Sequence, residues 1–444
     1  VPDTPSPPTA PDPVALLRSR SYLALVVFGA ILGVFVAVVA YFFLKAVGEA
    51  QHYIFATLPG EVGYATTPTW WPLPWLALCG LLVALTIRYL PGTAGHKPAE
   101  GFKTGGPVSP INLPGIVIAS FATLSLGAVL GPEAPLIAIG SGLGVLFVRL
   151  VKKDAPAQAS IVIGAAGSFA AISTLLGSPI AGAFLLLEAA GLAGPLLGVV
   201  LVPGLLAAGV GALIFVGLDS WTGFGTFSLA IPNIPPFGSP DGAEFLWAIA
   251  IGLAAAVLGA AIRWLALLLQ PIIERRMVLL MPFLGLAIAG LAIAFQEGSG
   301  HGYTNVLFSG QSALPTLVGD TANWTAGALT LLIACKGLAY GLSLSSFRGG
   351  PVFPGMFIGA AGGILFSHLP GLPPIAGVAI GIGALTVAML GLPFTSVLLV
   401  SILLPADAVP LMPLVIVAVV VSYVASAHFA PPKPSAAAET PAPA

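Results

Sequence analysis

A chain of 444 residues that is 57% hydrophobic and 7% charged, with a mean hydropathy of +1.04, is not a water-soluble domain, because those carry roughly 25% charged residues. Its formal net charge of -1 comes with no basic stripe, so nucleic acid is excluded as a partner and the lipid bilayer is the expected one. The 55 glycines and 42 prolines are too many for plain spanning rods and predict breaks, close helix contacts and re-entrant segments.

Residues 1–20 read as a disordered cytoplasmic tail without the basic n-region of a signal peptide, ending in Arg18 and Arg20. Arginines beside the first long span, Tyr22 to Leu44, place that end in the cytoplasm. A second apolar stretch, Trp75 to Ile87, meets Arg88 and then a Gly- and Pro-rich break that continues to Pro114. The apolar run 116–130 leads to Gly131-Pro132-Glu133-Ala134-Pro135, which opens a helix ending in the basic cluster Arg149, Lys152 and Lys153. Ile161 to Leu176 and Pro179 to Leu187 are each short for a ~30 Å hydrocarbon core, which takes about 20 residues. Gly177-Ser178-Pro179 between them is a helix stop and start.

Leu192 to Val216 closes a first membrane half, 21–217, and residues 218–243 read as an aqueous linker. The second half, 244–428, contains Glu244 to Leu269 with a third basic end, Leu279 to Phe295, Ala326 to Tyr340, a break at 349–354, Met356 to Phe366, Ile375 to Leu390, Pro393 to Leu404 and Leu411 to Ala427. A Pro/Ala-rich tail, 429–444, carries no folding signal. Cys79 and Cys335 lie far apart in apolar runs and read as packed free thiols. Each half begins with spanning helices and reaches a Gly/Pro break that opens a short helix, the pattern of an inverted-repeat transporter with its site where the breaks meet. The fold class expected is an all-α polytopic membrane protein.

Glu133 is the residue on which a function would turn. A carboxylate at membrane depth is expensive unless it lines a cavity or is neutralised. The unpaired N–H groups and dipole of a helix start favour a negative charge there, and the same amides would serve a free anion that displaced it. The plainer reading is a capping acid at an interfacial helix, stabilising by ~0.3–1 kcal/mol.

Three breaks, Gly95-His96-Lys97-Pro98, Gly131-Pro132-Glu133-Ala134-Pro135 and Gly350-Pro351-Val352-Phe353-Pro354, stand in order with Ser178-Pro179-Ile180-Ala181-Gly182 between the second and third. On these the chain resembles the CLC family of chloride channels and proton-coupled chloride exchangers, over roughly residues 20–428. The family signatures are G-S-G-I-P, G-[RK]-E-G-P and G-x-F-x-P. The resemblance implies an inverted repeat of broken and tilted helices, a homodimer with one pore per subunit, and helix starts surrounding a dehydrated chloride or similar small anion. No cofactor and no metal are expected. Glu133 matches the external gate, which can also carry a proton, and Gly95, His96, Pro132, Ala134, Val352 and Phe353 fall at the anion-binding positions.

The departures bear on mechanism. Gly95 stands where the family has an anion-coordinating serine; His96, in place of a glycine, either lends a donor or is only an interfacial residue. Pro132 replaces a basic residue and Ala134 a glycine, so local positive potential is lost. Val352 replaces an aromatic residue, which leaves the Val352 and Phe353 amides as donors. Ala189 falls on the position of the exchangers' internal proton-transfer glutamate. Glu188, one residue before it, is a second candidate relay, although on a helix its side chain points about 100° away. The family's last helix with its inner-gate tyrosine is not evident, Tyr423 reads as a packing residue, and no nucleotide-binding-like domain is expected after Pro431.

The resulting expectation is chloride transport gated by Glu133, channel-like or weakly coupled and voltage-gated, with H+/Cl- antiport as the alternative. The cell membrane is the expected location, with both termini cytoplasmic. An intramembrane enzyme is not expected, because no His-Glu-x-x-His run exists for zinc and the five histidines have no metal-like spacing.

Overall fold

The computed structural model describes residues 18–102, 106–153, 156–191, 195–223, 229–232, 234 and 236–429. Nearly all of the two expected tails, at 1–17 and 430–444, lies outside the described residues. Fourteen helices of eleven residues or more make up the described fold. The first seven are α1 (Arg20–His52), α2 (Pro72–Tyr89), α3 (Leu113–Ser125), α4 (Glu133–Val151), α5 (Ala157–Leu176), α6 (Pro179–Ala190) and α7 (Pro195–Thr222). The second seven are α8 (Gly242–Arg275), α9 (Met277–Ser299), α10 (Ala326–Ser346), α11 (Val352–Ser367), α12 (Pro374–Leu390), α13 (Pro393–Leu403) and α14 (Ala408–Phe429).

Local chemistry sets the helix ends. Asp241 and Glu244 form a reciprocal capping box at the start of α8, both bonds 3.0 Å long, satisfying two N–H groups that the first turn leaves open. Ser178 caps α6, accepting from Ala181 N at 3.3 Å. α5 and α12 both stop on a left-handed glycine, Gly177 at φ 62° and Gly391 at φ 68°, and in each case a proline begins the next helix two residues later, the combination that stops one helix and starts another.

The two sevens pack alike. α4 lies on α5 as α11 lies on α12, α5 on α7 as α12 on α14, and α1 on α7 as α8 on α14, while α2 and α9, the counterparts, pack on each other. The match reaches single residues. A Cβ on Gly140 would strike the Gly167 carbonyl and the reverse, and Gly359 and Gly381 stand in the same mutual relation. Gly140 and Gly359 are each seven residues into their helices, and Gly167 and Gly381 each lie ten before the terminating glycine. Backbone touching backbone at repeat-equivalent points is the small-residue packing that joins helices where lipid gives no hydrophobic drive.

On α1 the exposed residues Leu23, Val27, Ile31 and Phe35 form one apolar stripe at helical spacing, whereas Leu32, Gly33, Val36 and Ala37 are buried. A surface this apolar matches lipid and not water. Nine described helices are long and apolar enough to cross a membrane, so the protein is a polytopic membrane protein.

Two boundaries and one side chain differ from the sequence expectation. Residues 218–222, expected in the linker, extend α7, where Thr222 Oγ1 hydrogen-bonds Leu218 O at 2.7 Å and the Tyr41 hydroxyl at 2.8 Å. α10 runs on from Tyr340, where the apolar run was expected to end, to Ser346, because the Gly- and Ser-rich stretch is buried against other helices; Ser343 accepts from Val129 N at 3.0 Å. Tyr423, expected to pack, is 45% exposed on α14.

Replacing Gly359 by leucine is expected to force α11 and α12 apart and lower stability by about 1–3 kcal/mol or more. Thermal unfolding and monodispersity in detergent measure it, and Gly140→Leu should behave alike.

Candidate functional site

α4 and α11 start from the two motif loops, and those loops are joined directly. Gly131 N donates to Gly350 O at 2.8 Å and Gly350 N to Gly131 O at 2.6 Å, an antiparallel bridge and the only β-type pairing among the described residues. The residues before the two helices have nearly the same backbone, Pro132 at φ -83°, ψ -1° and Pro351 at φ -93°, ψ -1°. Both loops read Gly-Pro-x-x-Pro, so the repeat axis brings two helix starts together.

Glu133 is the first residue of α4 and fully buried. Its Oε1 accepts the Phe353 N–H at 2.9 Å, so the acid of one repeat occupies the N-terminus of the other repeat's helix. The N–H groups of Val352 and of Glu133 itself also face the carboxylate, but none reaches hydrogen-bond geometry at Oε2, which has no partner. The carboxylate rests against the bare α-carbons of Gly131 and Gly350, where an added Cβ would collide with its oxygens. Two converging helix starts and a carboxylate between them form a site for one negative charge.

α10 fixes this arrangement with residues one or two turns apart. Lys336, fully buried, donates through Nζ to the carbonyls of Asn305, Val306, Leu307 and Phe308 at 2.9–3.3 Å and lies 4.5 Å from the Phe357 ring centroid. Tyr340 donates to Pro351 O at 2.7 Å, which ties the second loop. Ser343 accepts from Val129 N at 3.0 Å, which ties the first.

Of the positions expected at the anion, Glu133, Pro132, Ala134, Val352 and Phe353 lie together at the two helix starts. Gly95 and His96 line a cavity that reaches Ala134, Pro135 and Gly349. His96 donates from Nε2 to Gly101 O at 2.8 Å, a contact within its own loop. Glu188 is placed elsewhere: its carboxylate accepts from Phe394 N at 2.9 Å, Thr395 N at 2.7 Å and Thr395 Oγ1 at 2.6 Å. Three bonds make it the cap of α13. Ala189 is half-buried beside it.

Sequence reasoning missed Lys336, Tyr340 and Arg348 as site residues. For the two cations the signal was present, since the rule that singled out Glu133, an ionisable residue at membrane depth, applies equally to them.

A profile of the family described as "Voltage gated chloride channel" matches residues 79–427. YfeO of Salmonella paratyphi A, a protein provisionally named for ion transport, is 29% identical over 393 residues, 87% of this chain and 91% of the relative. YfeO of Salmonella schwarzengrund is 30% identical over 394 residues with the same coverage, 87% and 91%. A slow cyanobacterial Cl-/H+ antiporter superposes with a TM-score of 0.70 at 19% identity, over 90% of this chain and 94% of that one. A CLC-type fluoride/proton antiporter gives a TM-score of 0.68 at 19% identity, over 92% and 96%.

The cradle predicts that Gly350→Ala expels the Glu133 carboxylate, because the new methyl takes its place. Loss of a hydrogen bond to a charged group weakens the seated state by about 1.5–3 kcal/mol. An experimental density map of the variant should show the side chain moved and α4 and α11 in place.

Proposed function

The chain belongs to the voltage-gated chloride channel family, and from that premise we propose that a small monovalent anion such as chloride crosses the bilayer between the starts of α4 and α11, with Glu133 as the gate. The observation that carries this reading is the Glu133 carboxylate on the Phe353 amide, at a point where two helix starts converge. An anion stripped of water there is stabilised by amides and helix ends, held loosely enough to leave. The ionised carboxylate occupies that place and blocks the path. Protonation, or displacement by an incoming anion, releases it.

Ala189 and Glu188 support weak proton coupling. The inner half of the route offers no free acid at the family's position, and the neighbouring carboxylate is held by three hydrogen bonds on α13. H+/anion antiport is the second reading, favoured because two solved structures of this fold are named as antiporters.

The basic ends at Arg20, Arg149 to Lys153 and Arg275 to Arg276 support a cell-membrane protein with cytoplasmic termini. A second copy of the chain is proposed on the face of α6 and α13, where Ile180 is 61% and Phe394 59% exposed and the Phe184 and Phe394 rings lie 5.0 Å apart. Mass measurement in mild detergent should give a dimer, and a monomer would count against it.

Because protonation opens the gate, anion flux into proteoliposomes should rise as pH falls, and Glu133→Gln should be open and flat across the same pH range. A pH response retained in that variant removes the gate from Glu133. With voltage clamped by potassium and valinomycin, a chloride gradient should drive little proton movement; sustained uphill proton movement that disappears in Glu133→Gln would establish antiport.

A further inference from the structure

The third motif loop carries a charge that neither the gate nor the helix starts use. Arg348 stands just before Gly349-Gly350 and is 6% exposed. It lines a cavity of about 350 Å³ together with Gly95, His96, Ala134, Ser141 and Gly349. Nε and Nη2 each donate to Thr93 O, at 3.2 and 3.1 Å, and Nη1 donates to Ser346 O at 3.0 Å and Phe347 O at 3.3 Å. A guanidinium has five N–H groups, so these four bonds leave one without an acceptor among the described residues.

Its hydrogen-bond partners are therefore neutral carbonyls. Glu274 and Glu100 act on it through space, and Glu274 is itself held by Lys97 at 2.7 Å. Ser141, 6% exposed on the same cavity wall, accepts from Val108 N at 3.2 Å and has no acceptor for its own O–H among the described residues. A buried cation whose hydrogen bonds all go to carbonyls, with carboxylates acting on it only through space, keeps part of its charge uncancelled, and such a charge is stabilised by an anion brought beside it.

We infer that Arg348 holds the fixed charge of an anion-binding cavity between the first motif loop and the start of α4, which takes a small monovalent inorganic anion such as a halide. The inference deepens the proposed function and rests on it. The cavity wall includes Ala134, Pro135 and Gly349, the neighbours of Glu133 and Gly350, so an anion here waits next to the gate. The residue also answers two departures in the motifs: Gly95 brings no hydroxyl and Pro132 no positive charge, and Arg348 supplies the charge from the opposite repeat.

The test is a binding measurement, independent of transport. Sodium bromide is titrated calorimetrically into the detergent-purified full chain carrying Glu133→Gln, which removes the competing carboxylate. Adding Arg348→Gln should weaken bromide binding by about tenfold or more, the scale of one charge removed at close range from a partly dehydrated cavity. Arg348→Lys, which keeps the charge, should retain most of the affinity. Ala138→Asp adds an opposing charge to the same cavity without touching the hydrogen bonds of Arg348, and should also weaken binding by about tenfold; it decides the matter if Arg348→Gln does not fold. Unchanged bromide affinity in folded Arg348→Gln, or in Ala138→Asp, overturns the inference. If wild-type proteoliposomes carry no anion, the transport reading fails, and the titration still decides whether Arg348 binds one.

Discussion

Two helix starts pointed at one another carry like partial charges, and the fold depends on placing something negative between them. Each start amounts to about half a positive charge. Here the meeting is enforced by the Gly131–Gly350 bridge, and the Glu133 carboxylate stands in the gap on the Phe353 amide. Neither helix could begin at this depth alone, because its open N–H groups would face hydrocarbon. The proposed gate thus also satisfies part of the scaffold when its carboxylate is seated, and an anion that took its place would inherit the same partners.

The breaks that create this site also leave carbonyls exposed in irregular segments, and two buried cations meet them. Lys336 gathers four carbonyls of the 305–308 segment, and Arg348 gathers those of Thr93, Ser346 and Phe347. Hydrogen-bonded only to carbonyls, both add positive charge to the interior around the buried Glu133 carboxylate. That balance suits a protein whose cargo is negative, and it links local backbone satisfaction to charge selection.

Much of this was legible in the sequence, for identifiable reasons. Helix stops written in local chemistry, such as Gly177-Ser178-Pro179, appear where expected, and an acid in an apolar run marks Glu133 without any knowledge of the fold. The end of α10 was not legible, because the apolar run stops at Tyr340 and the helix continues only where α8 packs on Gly341 and the loop before α4 on Ser343. Nor was the placement of Glu188, whose cap on α13 joins residues more than two hundred positions apart in sequence. Local spacing states which way a side chain leaves its helix, and says nothing about the helix start that will receive it.

The repeat is symmetric in backbone and asymmetric in chemistry, and the site requires both. Position 133 carries an acid and its counterpart 352 a valine, each at the first residue of its helix and each fully buried. With glutamate at both, two carboxylates would compete for one pair of helix starts, and like charges that close cannot both remain ionised. With valine at both, the open amides would have no anion of their own and the proposed path would have no stopper. One acid across from one apolar side chain gives a site that holds a single negative charge at a time, from the protein or from solution. Backbone symmetry builds the double helix start; the broken symmetry of its side chains fits it to the gating proposed for Glu133.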